Sequence, residues 1–255
     1  MFGVLKAWRR KRILAKSRLD DALWQRVACR FGFVLRLDEG ERARLRELCV
    51  LFLHEKQLSA TGDFELNDEM KLGIAIQACI LILYLDLDYY RNWVEIIVYP
   101  AEFMPRHEFR NEHGLVETDH RAFAGQAWFR GPVILSWSNV ESAWTGGDGN
   151  VVIHEFAHKL DMLNGVANGF PPLHREMDIE AWTRAFSAGF EAMQRYCDHG
   201  EDIGIDCYAA SSPAEFFAVL SECFFERPDI LRRHFGAIYE QMKLYYRQDP
   251  ITRWP

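Results

Sequence analysis

The chain has 255 residues, of which 49% are hydrophobic and 14% aromatic, so it carries enough apolar material for one sizeable core. Its net charge of -7 argues against direct binding of nucleic acid, because a protein that follows phosphates needs a basic face. We predict one domain over residues 1–255, with residues 1–20 as a basic N-terminal segment that is free to move.

This N-terminal segment, MFGVLKAWRRKRILAKSRLD, lacks the apolar core and the small-residue cleavage site of a signal peptide. Its basic, amphipathic pattern suits contact with a membrane surface or a partner, but a solvated helix face is the commoner role. The longest apolar run, Leu72 to Leu85, contains Gln77 and is shorter than the roughly 18 apolar residues that span a bilayer. We therefore predict no membrane span and a cytoplasmic location.

The first part of the chain favours helices. Over residues 5–57, apolar residues recur at intervals of three and four, as at Leu45, Leu48 and Phe52. The stretch TGDFELND is typical of a turn, and Asn67 or Asp68 is suited to cap an apolar helix that runs to about residue 86.

The middle of the chain favours strands instead. WVEIIVYP (93–100) is β-branched and aromatic and ends at a proline, while FRNEHGLVETD and AWFRGPVILSWSNV predict two or three more short strands. After TGGDGN (145–150), helical periodicity returns and continues to the C-terminus. This order predicts an α+β fold that is mainly helical and has a small mixed β-sheet.

The six cysteines contain no C-x-x-C pair, and each lies in an apolar or helical stretch: Cys29, Cys49, Cys79, Cys197, Cys207 and Cys223. We expect free, buried thiols in a reducing compartment.

The clearest motif is H-E-x-x-H within NVVIHEFAHKLDMLNG (150–165), at His154, Glu155 and His158. Two histidines four apart on a helix share one face, so both imidazoles can reach one zinc ion. Glu155 points beside the metal, where a carboxylate can take a proton from water and pass it to a leaving amine. The alternative is an ordinary helix surface that matches the motif by chance.

The surrounding residues support a helix here. Asn150 or Asp148 can cap its start, and Asn164 and Gly165 can end it. An apolar stripe lies away from the histidines, at Val152, Phe156, Leu160 and Leu163. Asp161 either accepts the free N–H of a ligand histidine or is a plain surface aspartate, and the spacing does not decide between them.

A catalytic zinc site needs a third protein ligand. The extension H-x-x-G-x-x-H fails, because Asp161 and Asn164 replace the glycine and the last histidine. Downstream, Glu215 and Glu222 lie seven apart on an apolar helix, and both are candidates. Ser212 and Glu215 also form a capping box, which explains that glutamate without a metal.

HEFAHKLDMLNG followed by YAASSPAEFFAVLSECFF resembles the Mlc titration factor A family, zinc peptidases of the gluzincin class. DEMKLGIAIQACILIL and RGPVILSW are similar to the same family, so the resemblance covers most of residues 45–230. It implies a zincin-like active-site helix, one Zn2+ per chain and Glu215 as the third ligand.

The resemblance also implies that Tyr208, seven residues before Glu215, faces the metal and stabilises the tetrahedral intermediate, as in the distantly similar catalytic domain of anthrax lethal factor. A phenol donor aimed at a developing oxyanion is what amide hydrolysis requires. Similarity further suggests that GPVILSW (131–137) is an edge strand beside the cleft, able to pair with a peptide substrate.

The expected activity is thus peptide hydrolysis, aminopeptidase-like on short peptides, with Glu155 and Tyr208 as catalytic residues. The family name implies another role, binding of a sugar-responsive transcriptional repressor. A non-catalytic repressor-binding protein with a structural or vestigial zinc site is therefore the alternative. A purely structural zinc requires four protein ligands.

Overall fold

The computed structural model describes residues 2–17, 19–101, 107–110, 116–119, 125–127, 131–144, 147 and 149–253. Within these residues the α-helices are α1 (Phe2–Lys16), α2 (Asp21–Ala28), α3 (Gly32–Leu35), α4 (Glu39–Glu55), α5 (Asp68–Ile80), α6 (Trp137–Trp144), α7 (Val151–Asp161), α8 (Ile179–Asp198), α9 (Pro213–Glu226), α10 (Pro228–His234) and α11 (Gly236–Tyr246). The strands are β1 (Gln57–Ala60), β2 (Glu95–Tyr99), β3 (His107–Arg110), β4 (Val116–Asp119), β5 (Gly125–Ala127) and β6 (Val133–Ser136). The predicted α+β fold is confirmed.

The helical N-terminal part is confirmed, but it is divided into four helices. The basic segment expected to be free to move forms α1, and Arg10 on this helix donates two hydrogen bonds to Asp86, at 2.8 and 2.9 Å. Asp38 and Glu41 form a capping box at the start of α4, which explains where this helix begins.

The buried helix α5 is shorter than predicted. Asn67 caps it as expected, accepting from the amide of Met70 at 2.9 Å, but the helix ends at Ile80 rather than near residue 86. The polar residue in this apolar run is only partly satisfied: Gln77 Nε2 donates to the carbonyl of Gly73 at 3.0 Å, while its Oε1 is buried without a hydrogen-bond partner among the described residues. None of the helices in the described part of the chain is long and apolar enough to cross a membrane.

Four strands form a mixed sheet in the order β1-β2-β6-β5, in which β1, β2 and β6 are parallel and β5 is antiparallel. The sequence predicted β2 but missed β1, a four-residue strand directly after a long helix. The expectation that GPVILSW forms an edge strand is wrong, because β6 pairs with β2 on one side and with β5 on the other. In the described part of the chain, the edge on that side of the sheet is β5, which packs on α7.

The helix α7 is buried along most of its length. Its buried side packs on an aromatic cluster, in which the ring of Phe156 lies 5.7 Å from that of Phe52 and 5.1 Å from that of Tyr90. The helix α7 also packs on α9, which is itself buried along most of its length. Contact between α7 and α9 brings together residues that are about sixty positions apart in the sequence.

The expectation of six free, buried cysteines is wrong for three of them. Cys197 and Cys207 form a disulfide with a Cα–Cα distance of 5.7 Å, and Cys29 is exposed. The spacing of ten residues did not reveal the disulfide, because it depends on how the chain folds back after α8. Cys49, Cys79 and Cys223 are free and buried, as expected.

Candidate metal centre

The helix α7, which carries the H-E-x-x-H motif, has a capped N-terminus and a buried apolar side. Asn150 caps its start by accepting from the amide of Ile153 at 3.0 Å. Of the predicted apolar stripe, Val152, Phe156 and Leu160 are fully buried. The two histidines lie on another face and form a pair whose ring centroids are 4.8 Å apart.

Helix α9 brings Glu215 to these histidines. The backbone amide of Glu215 donates to Ser212 Oγ at 3.2 Å, so Ser212 caps α9, which is the serine half of the predicted capping box. The carboxylate of Glu215, however, lies against the imidazoles of His154 and His158. The cap uses the amide and the candidate metal site uses the side chain, so one residue serves both purposes.

The three candidate ligand atoms form a compact triangle. His154 Nε2 lies 2.9 Å from Glu215 Oε2, His158 Nε2 lies 3.3 Å from it, and the two Nε2 atoms are 3.2 Å apart. Ligands bound tetrahedrally at about 2.0 to 2.2 Å from one zinc ion would be about 3.3 to 3.5 Å apart. The side chains therefore need to separate by only a few tenths of an ångström to hold such an ion, and together they form a candidate metal site.

The electrostatics of the triangle favour positive charge. Burial alone would lower the pKa of His154, but hydrogen bonds to Glu215 and Glu222 raise it well above its ordinary value. Burial would raise the pKa of Glu215, but its hydrogen bonds to the two histidines hold it well below its ordinary range. The carboxylates that raise the pKa of His154 would also stabilise a bound cation.

Glu155 is buried beside the two histidines of the motif. It is only 4% exposed, and burial raises its pKa although the nearby histidines oppose this shift. Its Oε2 is buried and has no hydrogen-bond partner among the described residues. A carboxylate with a raised pKa and a free oxygen beside a metal site suits a general base that later acts as an acid.

Glu222 contacts the far side of His154, which sequence reasoning missed. Its Oε1 lies 2.8 Å from His154 Nδ1, and its other oxygen accepts from the amide of Asn150 at the start of α7. The seven-residue spacing from Glu215 put both acids on one face of α9, and this was the available signal. A carboxylate that accepts the second N–H of a ligand histidine fixes the ring and its tautomer.

Asp161 has neither of its two predicted roles, because it is fully buried and accepts no hydrogen bond from a motif histidine among the described residues. Its Oδ2 accepts from the amides of Asn168 and Gly169, at 2.8 and 2.7 Å, and so it fixes the loop after α7. Among the described residues, His158 Nδ1 and Asp161 Oδ1 are both buried without a hydrogen-bond partner. The carboxylate of Glu222 thus contacts Nδ1 of His154, whereas no described carboxylate contacts Nδ1 of His158.

Tyr208 lies at the mouth of the site, in a 3-10 helix that we call the tyrosine segment (Cys207–Ala210). Its ring centroid is 6.1 Å from that of His154, and 49% of the residue is exposed. The side chain therefore faces both the histidines and the solvent, which suits a group that contacts a substrate.

Two histidines and a buried glutamate on one helix, faced by a glutamate from a second helix, define a candidate metallopeptidase. In agreement, the family model described as glucose-regulated metallo-peptidase M90 matches residues 5–247, and the chain belongs to this family.

Curated relatives share the name "Mlc titration factor A". The protein from Salmonella gallinarum (strain 287/91 / NCTC 13346) is 38% identical over 239 residues, which are 92% of this chain and 87% of the relative. The protein from Edwardsiella ictaluri (strain 93-146) is 37% identical over 229 residues, covering 89% of this chain and 87% of the relative. The relative from Salmonella arizonae is 38% identical, with 91% and 93% covered.

Proposed function

We propose that the protein is a zinc-dependent peptidase in which His154, His158 and Glu215 hold the ion. The observation that carries this proposal is the triangle of ligand atoms next to the buried carboxylate of Glu155. Two imidazoles and one carboxylate are the ligand set of a catalytic zinc site, which keeps a further position open.

The residues around the triangle supply the remaining chemistry. Zinc, when bound, polarises a substrate carbonyl and makes water a better nucleophile near neutral pH. Glu155 takes the proton from the attacking water and delivers it to the nitrogen of the leaving amine. Tyr208 donates a hydrogen bond to the oxygen on which negative charge develops. Glu222 holds the ring of His154 throughout.

We propose peptides as substrates, bound along β5. Among the described residues this strand is the edge of the sheet next to α7, so its outer backbone groups can pair with an extended peptide. Aminopeptidase-like cleavage of short peptides is the expectation from family resemblance. Comparing a peptide with a free amino terminus and its N-acetylated form tests this specificity, since an aminopeptidase cleaves only the first.

The direct test of the function is metal analysis of the purified protein, with peptidase assays before and after chelation. We expect one zinc per chain, loss of cleavage on chelation and recovery when zinc is restored. X-ray absorption should show three protein ligands and one light-atom ligand from solvent. Four protein ligands would support a structural zinc and contradict the peptidase proposal.

The name of the relatives supports a second function, binding of the repressor Mlc or a similar transcriptional repressor. We propose that such binding does not need hydrolysis. Glu155→Gln should abolish cleavage while the variant still binds purified repressor, as measured by calorimetry. Loss of repressor binding in this variant, with zinc retained, would show that the two activities are not separable.

A further inference from the structure

The helix α1 carries six basic side chains and no acidic one, although the whole chain has a net charge of -7. Two of the six are paired: Arg10 donates to Asp86 at 2.8 and 2.9 Å, and Lys6 forms ion pairs with Asp86 and Asp88. The other basic side chains are exposed and form no ion pair with any described residue: Arg9, Lys11, Arg12 and Lys16. These charges are therefore available to an external anion.

The contacts of α1 with the rest of the protein lie on one side of the helix. Lys6 and Arg10 bind the aspartates, and Ile13 and Leu14 pack against the hydrophobic core. Because these positions are three and four residues apart, they share one face, and this face attaches α1 to the protein. The opposite face must therefore point outwards.

The outward side of α1 also exposes large apolar side chains. Val4, Leu5 and Trp8 are 76%, 60% and 60% exposed, and they lie within about one helical turn. Arg12 follows Trp8 by four residues, and its guanidinium carbon lies 5.5 Å from the centroid of the indole. Apolar and basic side chains thus share one surface, which we call the outer face of α1 (Val4, Leu5, Trp8, Arg9, Lys11, Arg12 and Lys16).

A groove beside α1 extends this surface. Its volume is about 800 Å³, and its apolar lining includes the half-buried side chains of Leu19 and Leu53. Lys16 and Lys71 also line it, and Asp68 is the one acidic residue among the described residues that do so. Lys71 forms no ion pair within the described part of the chain. The groove therefore continues the combination of apolar surface and unpaired positive charge.

This combination favours one kind of occupant. Nucleic acid or free phosphate would use the cations but leave Val4, Leu5 and Trp8 in water. A second copy of the chain bound through the same face would bring like charges together. An anionic bilayer suits both kinds of group, because its headgroups attract the cations. Its boundary between headgroups and acyl chains takes up apolar side chains, tryptophan in particular.

We propose that the outer face of α1 docks the protein on membrane surfaces rich in anionic phospholipids. The docking is peripheral: α1 lies on the surface, with its attached face towards the protein and its outer face towards the lipid. This role goes beyond peptide hydrolysis and does not depend on it.

The first experiment measures sedimentation of the purified, full-length protein with vesicles. Vesicles of equal parts phosphatidylglycerol and phosphatidylcholine should bind the protein at least about tenfold more tightly than vesicles of phosphatidylcholine alone. Added salt should weaken this binding, because it screens the attraction between exposed charges and headgroups. Equal binding to both kinds of vesicle, or binding to neither, would overturn the proposal.

Charge variants show whether α1 is the part that binds. Arg9→Gln/Arg12→Gln should weaken binding to the anionic vesicles roughly 25-fold, at about fivefold for each lost cation. Arg232→Gln/Arg233→Gln is the matched control, because it removes the same charge from exposed, unpaired positions on α10. The control should stay within about threefold of wild type. An equal loss in both variants would mean that net charge alone governs binding, and the outer face would have no special role.

Apolar variants test insertion into the bilayer. Leu5→Ser should weaken binding at least about threefold, whereas Leu244→Ser, at a similarly exposed position on α11, should not change it. Equal effects of the two substitutions would contradict insertion. Tighter binding to duplex DNA than to the anionic vesicles, unaffected by Leu5→Ser, would assign the cations to nucleic acid and overturn the proposal.

A further readout compares wild type with a variant that keeps the apolar character of the face. Brominated phosphatidylglycerol quenches the fluorescence of indoles that it contacts, so quenching of wild type should exceed that of Trp8→Phe. The urea unfolding midpoints of all variants should match wild type, since the substituted side chains are exposed. Equal quenching of wild type and Trp8→Phe would show that Trp8 does not reach the lipid, and would refute the proposed orientation.

Discussion

Substituting Glu222 by alanine should weaken zinc binding without removing a ligand. The side chain contacts His154 Nδ1 at 2.8 Å, on the side opposite to Nε2, which faces Glu215. Loss of a carboxylate that orients a metal-bound histidine typically costs 10- to 100-fold in metal affinity, which is about 1.4 to 2.8 kcal/mol. Glu215→Ala should cost more, because it deletes a proposed ligand atom.

The same substitution should also lower the free energy of unfolding. Glu222 accepts a hydrogen bond from the buried amide of Asn150, which caps α7. A buried donor that loses a charged partner costs about 1.5 to 3 kcal/mol. Glu226→Ala is the matched control, since Glu226 also holds Asn150, through Nδ2 at 2.7 Å, but is one helical turn further from the histidines.

Zinc affinity is measured by competition with a chelator of known affinity, and stability by urea unfolding of the zinc-free proteins. We expect Glu222→Ala to lose both affinity and stability, and Glu226→Ala to keep a zinc Kd within about threefold of wild type. A normal Kd for Glu222→Ala would refute the role assigned to the carboxylate. A Kd as weak as that of Glu215→Ala would instead make Glu222 a ligand.

Three further substitutions test the site. Glu155→Gln should keep zinc but lose about 100- to 10,000-fold in kcat, measured by steady-state peptide hydrolysis; activity near wild type would exclude it as the base. Tyr208→Phe should lower kcat about 100- to 1,000-fold and leave KM nearly unchanged, and a change in KM alone would assign Tyr208 to substrate binding. Burial raises the pKa of Glu226 from its ordinary value of 4.5 to about 7. Between these two values the folded state keeps a proton that the unfolded state has released, so the free energy of unfolding falls as the pH rises through this range. Relative to wild type, Glu226→Gln should therefore gain on the order of 2 kcal/mol of stability between pH 5 and pH 8 in urea unfolding; a stability difference that does not change with pH would contradict the raised pKa.

Local patterns in the sequence were enough to predict several elements. The caps at Asn67 and Asn150 are set by side chains that bond to amides three residues ahead, so they can be read directly from the sequence. The shared face of His154 and His158 follows from helical geometry alone. Each of these features depends on residues that are close in the chain.

Short strands were harder to predict. The four residues of β1 are too few for a polar–apolar alternation to predict a strand, and they form one because β2 offers hydrogen bonds to them. Likewise, the edge of the sheet was assigned to the wrong strand, because strand order depends on pairing between distant segments and not on the composition of any one of them.

By itself, therefore, the sequence determined the helix α7, its cap and two histidines on one face, because these follow from spacing within a single helix. Only the tertiary structure decided which glutamate of α9 faces which side of His154, because Glu215 and Glu222 are 61 and 68 residues away from it. Only the tertiary structure joined Cys197 to Cys207, because the chain must turn back after α8 for the two sulfur atoms to meet.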